Sequence, residues 1–466
     1  MRGRRMAICV GQRGVLVALA LLLVAGPAAW AAAASDSSPS LAGHWKGAIA
    51  APGRELTFDV DLRATPGGAL SGDISIPAQN AFDLALGDVK ATESRLQFSI
   101  VGVPGDPAFD GTVAADGAHV EGSFKQGGAD LSFKMERVEG AAATAKAALE
   151  GFDDFVTKAV EAWNVPGAGI AIVSGGEVVY AKGFGWRDLE AKKPMTADTL
   201  FAIGSTTKAM TATTLGMLVD EGKVEWDQPL RDYLPSFKLM DASISERITP
   251  RDIVTHRSGL PRHDLLWYNN NSGTRGDMVK RLAYLDLTAD LREKFQYNNL
   301  MFMTAGYLIE TLTGKSWEQN VRERLFDPLG MKRSTFSVID SQKDADFAQP
   351  YREREDDRKL ERIPFRRIDL VGPAGAVNSS VNEMAKWLLF NLRHGKVGDE
   401  QLIQAATLEE IHTPQMPIPA KPDRPDMSAP SYAMGWVVES YRGHRRLQHG
   451  GGIDGFITSV MFFPDD

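Results

Sequence analysis

Ser205-Thr206-Thr207-Lys208, preceded by Phe201-Ala202-Ile203-Gly204 and followed by Ala209-Met210, is the passage on which the reading of this chain turns. A serine hydroxyl is a weak nucleophile and needs a base within hydrogen-bond reach. If Ser205 begins the helix that runs through Met210, Lys208 lies one turn further on and on the same face. Partial burial or a neighbouring positive group would lower the lysine pKa and let it accept a proton. A helix N-terminus also offers unpaired N–H groups and a favourable dipole for developing negative charge, so the Ser205 amide could form half of an oxyanion hole. Taken alone the motif is weak. A chain of this composition should contain on the order of one Ser-x-x-Lys by chance, and a capped surface helix with an exposed lysine would explain it.

Two further motifs follow downstream. Tyr-x-Asn occurs at Tyr297-Asn298-Asn299 and at Tyr268-Asn269-Asn270. The second sits in a polar, Gly- and Asn-rich loop, whereas the first directly precedes the apolar run Leu300 to Thr313. A phenol there can shuttle protons and an amide can hold a substrate carbonyl. His449-Gly450-Gly451-Gly452 ends a strand-like segment, where glycines let backbone N–H groups approach a ligand closely. No Gly-x-Ser-x-Gly elbow exists for an α/β-hydrolase, and His256 and His263 lack the companions of a metal site, so neither metal nor cofactor is expected.

The order and wide spacing of these motifs resemble the serine β-lactamase and penicillin-binding fold family, in the branch around class C β-lactamases, D-alanyl-D-alanine peptidases and related esterases. Thr255-His256-Arg257-Ser258-Gly259-Leu260-Pro261, Gly372-Pro373-Ala374-Gly375 and Met434-Gly435-Trp436 extend the resemblance over roughly residues 150–466. It implies an α+β domain, with an antiparallel sheet flanked by helices plus an all-helical subdomain. It also implies a covalent acyl-enzyme on Ser205, with proton transfer shared by Lys208 and Tyr297. Asn299 would orient the substrate amide, and His449 with Gly451 would line the substrate site, His449 standing where many relatives carry a lysine that faces the substrate carboxylate. The Ser205 and Gly452 amides would form the oxyanion hole. Histidine at 449 removes a permanent charge, which argues toward a peptidase or esterase. A non-turnover penicillin sensor or peptidoglycan-binding homologue and a true class C-like β-lactamase remain the alternatives. Relatives continue past this point with a strand and a helix, so the domain is expected to be C-terminally incomplete.

The rest of the chain frames that domain. Leu56, Phe58, Val60 and Leu62 alternate with polar residues, the period of a half-buried strand, and Pro66-Gly67-Gly68, Asp116-Gly117 and Gly127-Gly128 punctuate similar runs. Residues 40–137 therefore read as a small all-β barrel or sandwich, joined by a linker at 138–149. Phe152, Phe155, Val156, Val160 and Trp163 recur at helical spacing and read as a core-facing stripe. A hairpin follows, and strand-like runs at Arg445 to Gly450 and Ile457 to Phe463 suggest one sheet assembled from both ends of the domain.

Arg2, Arg4, Arg5 and Arg13, the apolar run Val15 to Ala25 and Ala32-Ala33-Ala34 read as a cleaved export signal over 1–34, giving a periplasmic or secreted protein with no stable membrane span. Loss of that segment, with its four arginines and no acid, takes the formal charge from −8 to −12, a poor match for nucleic acid. A small-molecule or peptide substrate is the expected partner. Cys9, the single cysteine, lies in the signal, so the remaining chain has no disulfide.

Overall fold

The structure, a computed structural model, describes residues 41–65, 69–79, 81–138, 140–270 and 272–465. The expected export signal and the turn Pro66-Gly67-Gly68 lie outside the described residues.

The alternating N-terminal segments form eight antiparallel strands: β1 (Gly43–Ala51), β2 (Arg54–Ala64), β3 (Leu70–Ile76), β4 (Ala81–Ala91), β5 (Arg95–Ile100), β6 (Ala108–Val113), β7 (His119–Gln126) and β8 (Ala129–Val138). Each pairs with the next, and β1 pairs with β8, so the unit is a closed barrel. Closure leaves no edge strand. Leu56, Phe58, Val60 and Leu62 point inward, and Trp45, Phe98, Phe109, Phe124 and Phe133 fill the interior with them. Phe109 is the hub, with ring centroids 5.2 Å from Phe58 and 5.0 Å from Phe133.

Helix α1 (Ala141–Ala148) occupies most of the expected linker and leads to α2 (Phe152–Ala162). The hairpin β9 (Gly167–Ser174) and β10 (Glu177–Asp188) turns at Gly175 and Gly176, whose φ angles of +56° and +73° suit a two-residue turn between twisted strands. Two expectations need correction here. The stripe on α2 is not core: Val156 is its one buried residue, while Phe155 and Trp163 are 53% and 58% exposed. Periodicity marks an apolar face without saying what covers it.

The second correction concerns the sheet. The two ends of the domain form two sheets, not one. β9 is the edge of the first, and β11 (Val437–Tyr441), β12 (His444–Ile453) and β13 (Phe456–Phe462) belong to a separate five-stranded sheet whose edge is β13. No ladder joins β9 to β13, because an open groove lined by both strands separates them.

The helical lobe comes between the two sheets in sequence. Its central helix α3 (Thr207–Asp220) is buried from Thr207 through Leu218 and packs on α4 (Asn299–Thr313). Gly314, at φ +69°, closes α4 in the left-handed conformation expected of a C-terminal glycine. A Cβ at Gly306 of α4 would come 2.1 Å from the Pro373 ring, so a glycine is required for α5 (Gly372–Gly375) to approach. α6 (Val381–Leu392) is capped by Ser380, which accepts the Glu383 N–H. The Glu383 carboxylate does not complete a capping box, since it accepts instead from the Arg333 amide and the Ser334 hydroxyl.

Candidate active site

Ser205 stands in the single 3-10 turn Gly204–Thr206 that feeds α3, so the α-helix begins two residues after Ser205 and not at it. The helical spacing survives the difference. Lys208 Nζ lies 3.0 Å from Ser205 Oγ, 2.8 Å from Asn299 Oδ1 and 2.7 Å from the Ala374 carbonyl oxygen. The lysine is wholly buried, and burial, reinforced by the nearby Arg262 charge, pushes its pKa well below the usual lysine range. A neutral amine has two N–H groups and one lone pair. Asn299 Oδ1 and the Ala374 carbonyl can only accept, so they take the two N–H groups. The lone pair is left for Ser205, whose hydroxyl can donate to it. This arrangement suits proton abstraction from the serine.

Tyr297 adjoins Ser205 and Lys208, whose Nζ sits 4.8 Å from its ring centre. Desolvation pushes its phenol up to about 12, so at neutral pH it carries its proton. It immediately precedes Asn298, the N-cap of α4, which accepts from the Met301 N–H and donates to the Leu260 and Pro261 carbonyls. The cap therefore ties the start of α4 to the loop after His256. Asn299 is turned inward. Its carbonyl meets Lys208 and its Nδ2 donates to Asp264 Oδ1 at 3.1 Å, so both ends of the amide are engaged inside the protein.

The glycine-rich strand faces the serine turn edge-on. β11 pairs with β12 only as far as Val437 opposite Gln448, leaving His449 to Ile453 with a free edge toward Gly204 and Ser205. The approach is backbone to backbone. A Cβ at Gly204 would lie 2.7 Å from the Gly452 nitrogen, and one at Gly451 would lie 2.0 Å from the Ile203 carbonyl oxygen. Gly452 is exposed on the cleft side, where a Cβ would meet nothing within 4 Å. The Ser205 and Gly452 amides thus flank one end of the cleft.

His449 is buried. Nδ1 lies 2.6 Å from the Gly450 carbonyl oxygen and must donate to it; Nε2 then accepts from the Tyr432 hydroxyl at 3.0 Å. Burial, with Lys208 nearby, holds its pKa at about 3, so the ring is neutral. His256, wholly buried, accepts the Asn298 N–H at Nδ1 and packs between the tilted rings of Tyr297 and Tyr432, with ring centroids at 4.3 and 4.5 Å. The other Tyr-x-Asn copy is a loop, as expected. There the Tyr268 hydroxyl donates to Asp454, which also pairs with Arg366.

Sequence reasoning thus brought Ser205, Lys208, Tyr297, Asn299, His449, Gly451 and Gly452 to one place. It did not find Asp264, Tyr432, the His256 ring or the Ala374 carbonyl. A signal existed for Asn298: an asparagine directly ahead of an apolar helical run is an N-cap signature. Among the described residues no group of three or more metal-ligating side chains is found, and no helix is long and apolar enough to cross a membrane.

A serine and a buried lysine opening the central helix, faced by a glycine-rich strand within an α+β domain, define the serine β-lactamase and penicillin-binding type of fold. The Beta-lactamase family profile matches residues 152–466, and the chain belongs to that family. An unguisins hydrolase of Aspergillus campestris is 33% identical over 329 residues, covering 68% of this chain and 59% of the relative. Protein flp of Staphylococcus aureus is 24% identical over 316 residues, covering 67% and 60%. The chain therefore spans less than two thirds of the length of these curated relatives. Among solved structures, the octameric penicillin-binding protein homologue from Pyrococcus abyssi superposes with a TM-score of 0.60 at 27% identity, over 68% of this chain and 71% of that one. The penicillin-binding protein from Bacillus halodurans shares the fold, with a TM-score of 0.52 at 21% identity over 66% of this chain and 90% of that one.

Proposed function

We propose that this chain is an exported serine hydrolase that cleaves an amide or ester through a covalent acyl-enzyme on Ser205. Lys208 takes the Ser205 proton as Oγ attacks the substrate carbonyl carbon. The oxyanion forms against the Ser205 and Gly452 N–H groups. Collapse of the tetrahedral intermediate breaks the amide or ester bond. The leaving group takes the Tyr297 proton, and Tyr297 is reprotonated from the Lys208 ammonium. Water then attacks the ester and gives its proton to Lys208, which passes it to Ser205 Oγ as the serine leaves as the free hydroxyl. The second Asn299 N–H and the His449–Gly451 strand line the acyl site. A cell-wall-like peptide, an ester or a β-lactam fits this chemistry, and the hydrolase name of the Aspergillus relative supports a hydrolase over a sensor.

One observation carries the reading: the Lys208 amine has acceptors for both N–H groups and its lone pair toward Ser205 Oγ, 3.0 Å away. The test is labelling with a fluorophosphonate, followed by peptide mass spectrometry and turnover of p-nitrophenyl esters, nitrocefin and D-amino-acid peptides. Label on Ser205 that disappears in Ser205→Ala, with turnover of one substrate class, is expected. Label that persists in Ser205→Ala refutes the nucleophile, and label without turnover favours a sensor.

A further inference from the structure

We propose that Asp264 is a positioning residue: its carboxylate fixes the amide of Asn299 so that the carbonyl oxygen, and not the NH2 group, faces the Lys208 amine. The inference rests on the acyl-enzyme reading and adds to it a residue outside the three motifs.

Asp264 follows His263, whose φ of +46° turns the chain out of Pro261 and Arg262 and into the short 3-10 turn Asp264–Leu266. Three donors hold its carboxylate. Arg262 Nε reaches Oδ2 at 2.6 Å, while Trp267 Nε1 at 2.9 Å and Asn299 Nδ2 at 3.1 Å share Oδ1. An ionised carboxylate can only accept, so it selects one of the two orientations of the Asn299 amide. In the other orientation the Asn299 oxygen would oppose the carboxylate. The Asn299 NH2 would then face the lysine and compete with the Ser205 hydroxyl for its lone pair. Among the described residues its other amide partner is Lys208, which as an amine could either donate or accept and so does not make the choice.

The same carboxylate acts on the lysine through space. The ionisable groups around Lys208 are Tyr297, His256 and His449 in the interior and the Arg262–Asp264 pair at the rim. Arg262 disfavours the ammonium and Asp264 favours it. Removing the Asp264 charge therefore moves the acid limb of the labelling profile to lower pH, whereas loss of amide orientation lowers the plateau.

The experiment measures the fluorophosphonate labelling rate against pH for the full chain, for Asp264→Asn, Asn299→Ala, the double variant Asp264→Asn/Asn299→Ala, and the swap Asp264→Asn/Asn299→Asp. Asp264→Asn should lose about ten- to a hundredfold at the plateau, the range set by one hydrogen bond to a charged group, with its acid limb displaced downward. On the Asn299→Ala background the same substitution should cost nothing further at the plateau. The swap, which returns an acceptor-only group to face Lys208 and an amide donor to hold it, should recover rate relative to Asp264→Asn, with the limb displaced upward. Independent, additive losses in the double variant overturn the proposal, as does an Asp264→Asn profile that overlays the wild type. Should Asp264→Asn melt early, the swap decides alone: no recovery there refutes a positioning role. A wild-type chain that does not label at Ser205 removes the underlying mechanism and the inference together, an outcome distinct from any of these.

Discussion

Replacing Gly451 by alanine should disable the site while leaving the fold standing. The new Cβ would lie 2.0 Å from the Ile203 carbonyl oxygen and 3.3 Å from the Ser205 amide nitrogen. Reaching even ~3.0 Å from that oxygen requires a displacement of about 1 Å. β12 is paired to β13 from Leu447 opposite Phe462 to Ile453 opposite Phe456, so the strand moves as part of a ladder or the Ser205 turn moves instead. Either way the Ser205 and Gly452 amides separate. Crowding of this kind costs about 1–3 kcal/mol of stability. Misplacement by about 1 Å can cost a factor on the order of 10², and loss of one oxyanion donor a factor of about 10²–10³. Gly452→Ala is the internal control, because a Cβ there meets nothing within 4 Å and the N–H is retained. The assay is the second-order rate of fluorophosphonate labelling beside a thermal melt. Gly451→Ala should fall by about 10² or more, and Gly452→Ala should stay within about tenfold of wild type. A Gly451→Ala chain that labels normally, or a Gly452→Ala chain that falls as far, refutes the edge-on geometry.

Labelling requires the neutral Lys208 amine, so the rate should rise with pH through the lysine pKa, well below the ordinary 10.5, and then level off. No second inflection belongs near 6.5, since burial holds His449 at about 3; an inflection there that vanishes in His449→Gln would contradict the neutral ring. Asn298→Ala removes the cap bond to Met301 and the ties to Leu260 and Pro261, and should cost about 2–4 kcal/mol in urea denaturation. In the barrel, hydrogen bonds from the His44 ring to Asp59 and Asp61 raise its pKa from 6.5 to about 9. The folded pKa is the higher one, so this stabilisation is complete below about 6.5 and is lost as pH rises through about 9. The melting-temperature gap between wild type and His44→Gln should therefore be widest near pH ~6 and close by pH ~10; a gap that does not change with pH would mean the pair contributes nothing.

What could be read from sequence was local and periodic. Ser205 and Lys208 meet because a helix brings residues three apart onto one face, and Leu56 to Leu62 face one way because a strand alternates. Tyr297, Asn299 and His449 became legible only through their order along the chain. The remaining parts of the site have no such pattern. The Ala374 acceptor is a backbone carbonyl, which any residue could supply. The tautomer of His449 is set by the Gly450 carbonyl, and the donor that then meets its Nε2 is Tyr432, 17 residues away on another strand. Asp264 reaches Asn299 from 35 residues upstream through a left-handed turn that no spacing rule announces. The apolar stripe of α2 failed differently: periodicity described its face correctly, but burial depends on what stands opposite, and opposite Phe155 and Trp163 is open groove.

The buried groups around Ser205 share one electrostatic character. Lys208, His256 and His449 are all held toward their neutral forms by desolvation, and each would repel a proton on the others. Tyr297 and Tyr432 are pushed the opposite way by the same burial and are neutral too. These five side chains therefore bring no resident charge to the interior of the site, and the Arg262–Asp264 ion pair sits at its rim. On the proposed mechanism, charge appears there only during reaction, as a cation on Lys208 and an anion on the substrate oxygen, formed together and a few ångströms apart. A low-dielectric pocket strengthens the attraction between such a pair. It also penalises either charge alone, which is why the lysine stays neutral until a carbonyl is in place to receive the serine. Fixed backbone N–H groups at Ser205 and Gly452 suit this design better than a permanent cation would, because they stabilise the oxyanion without holding the lysine's proton at a distance beforehand.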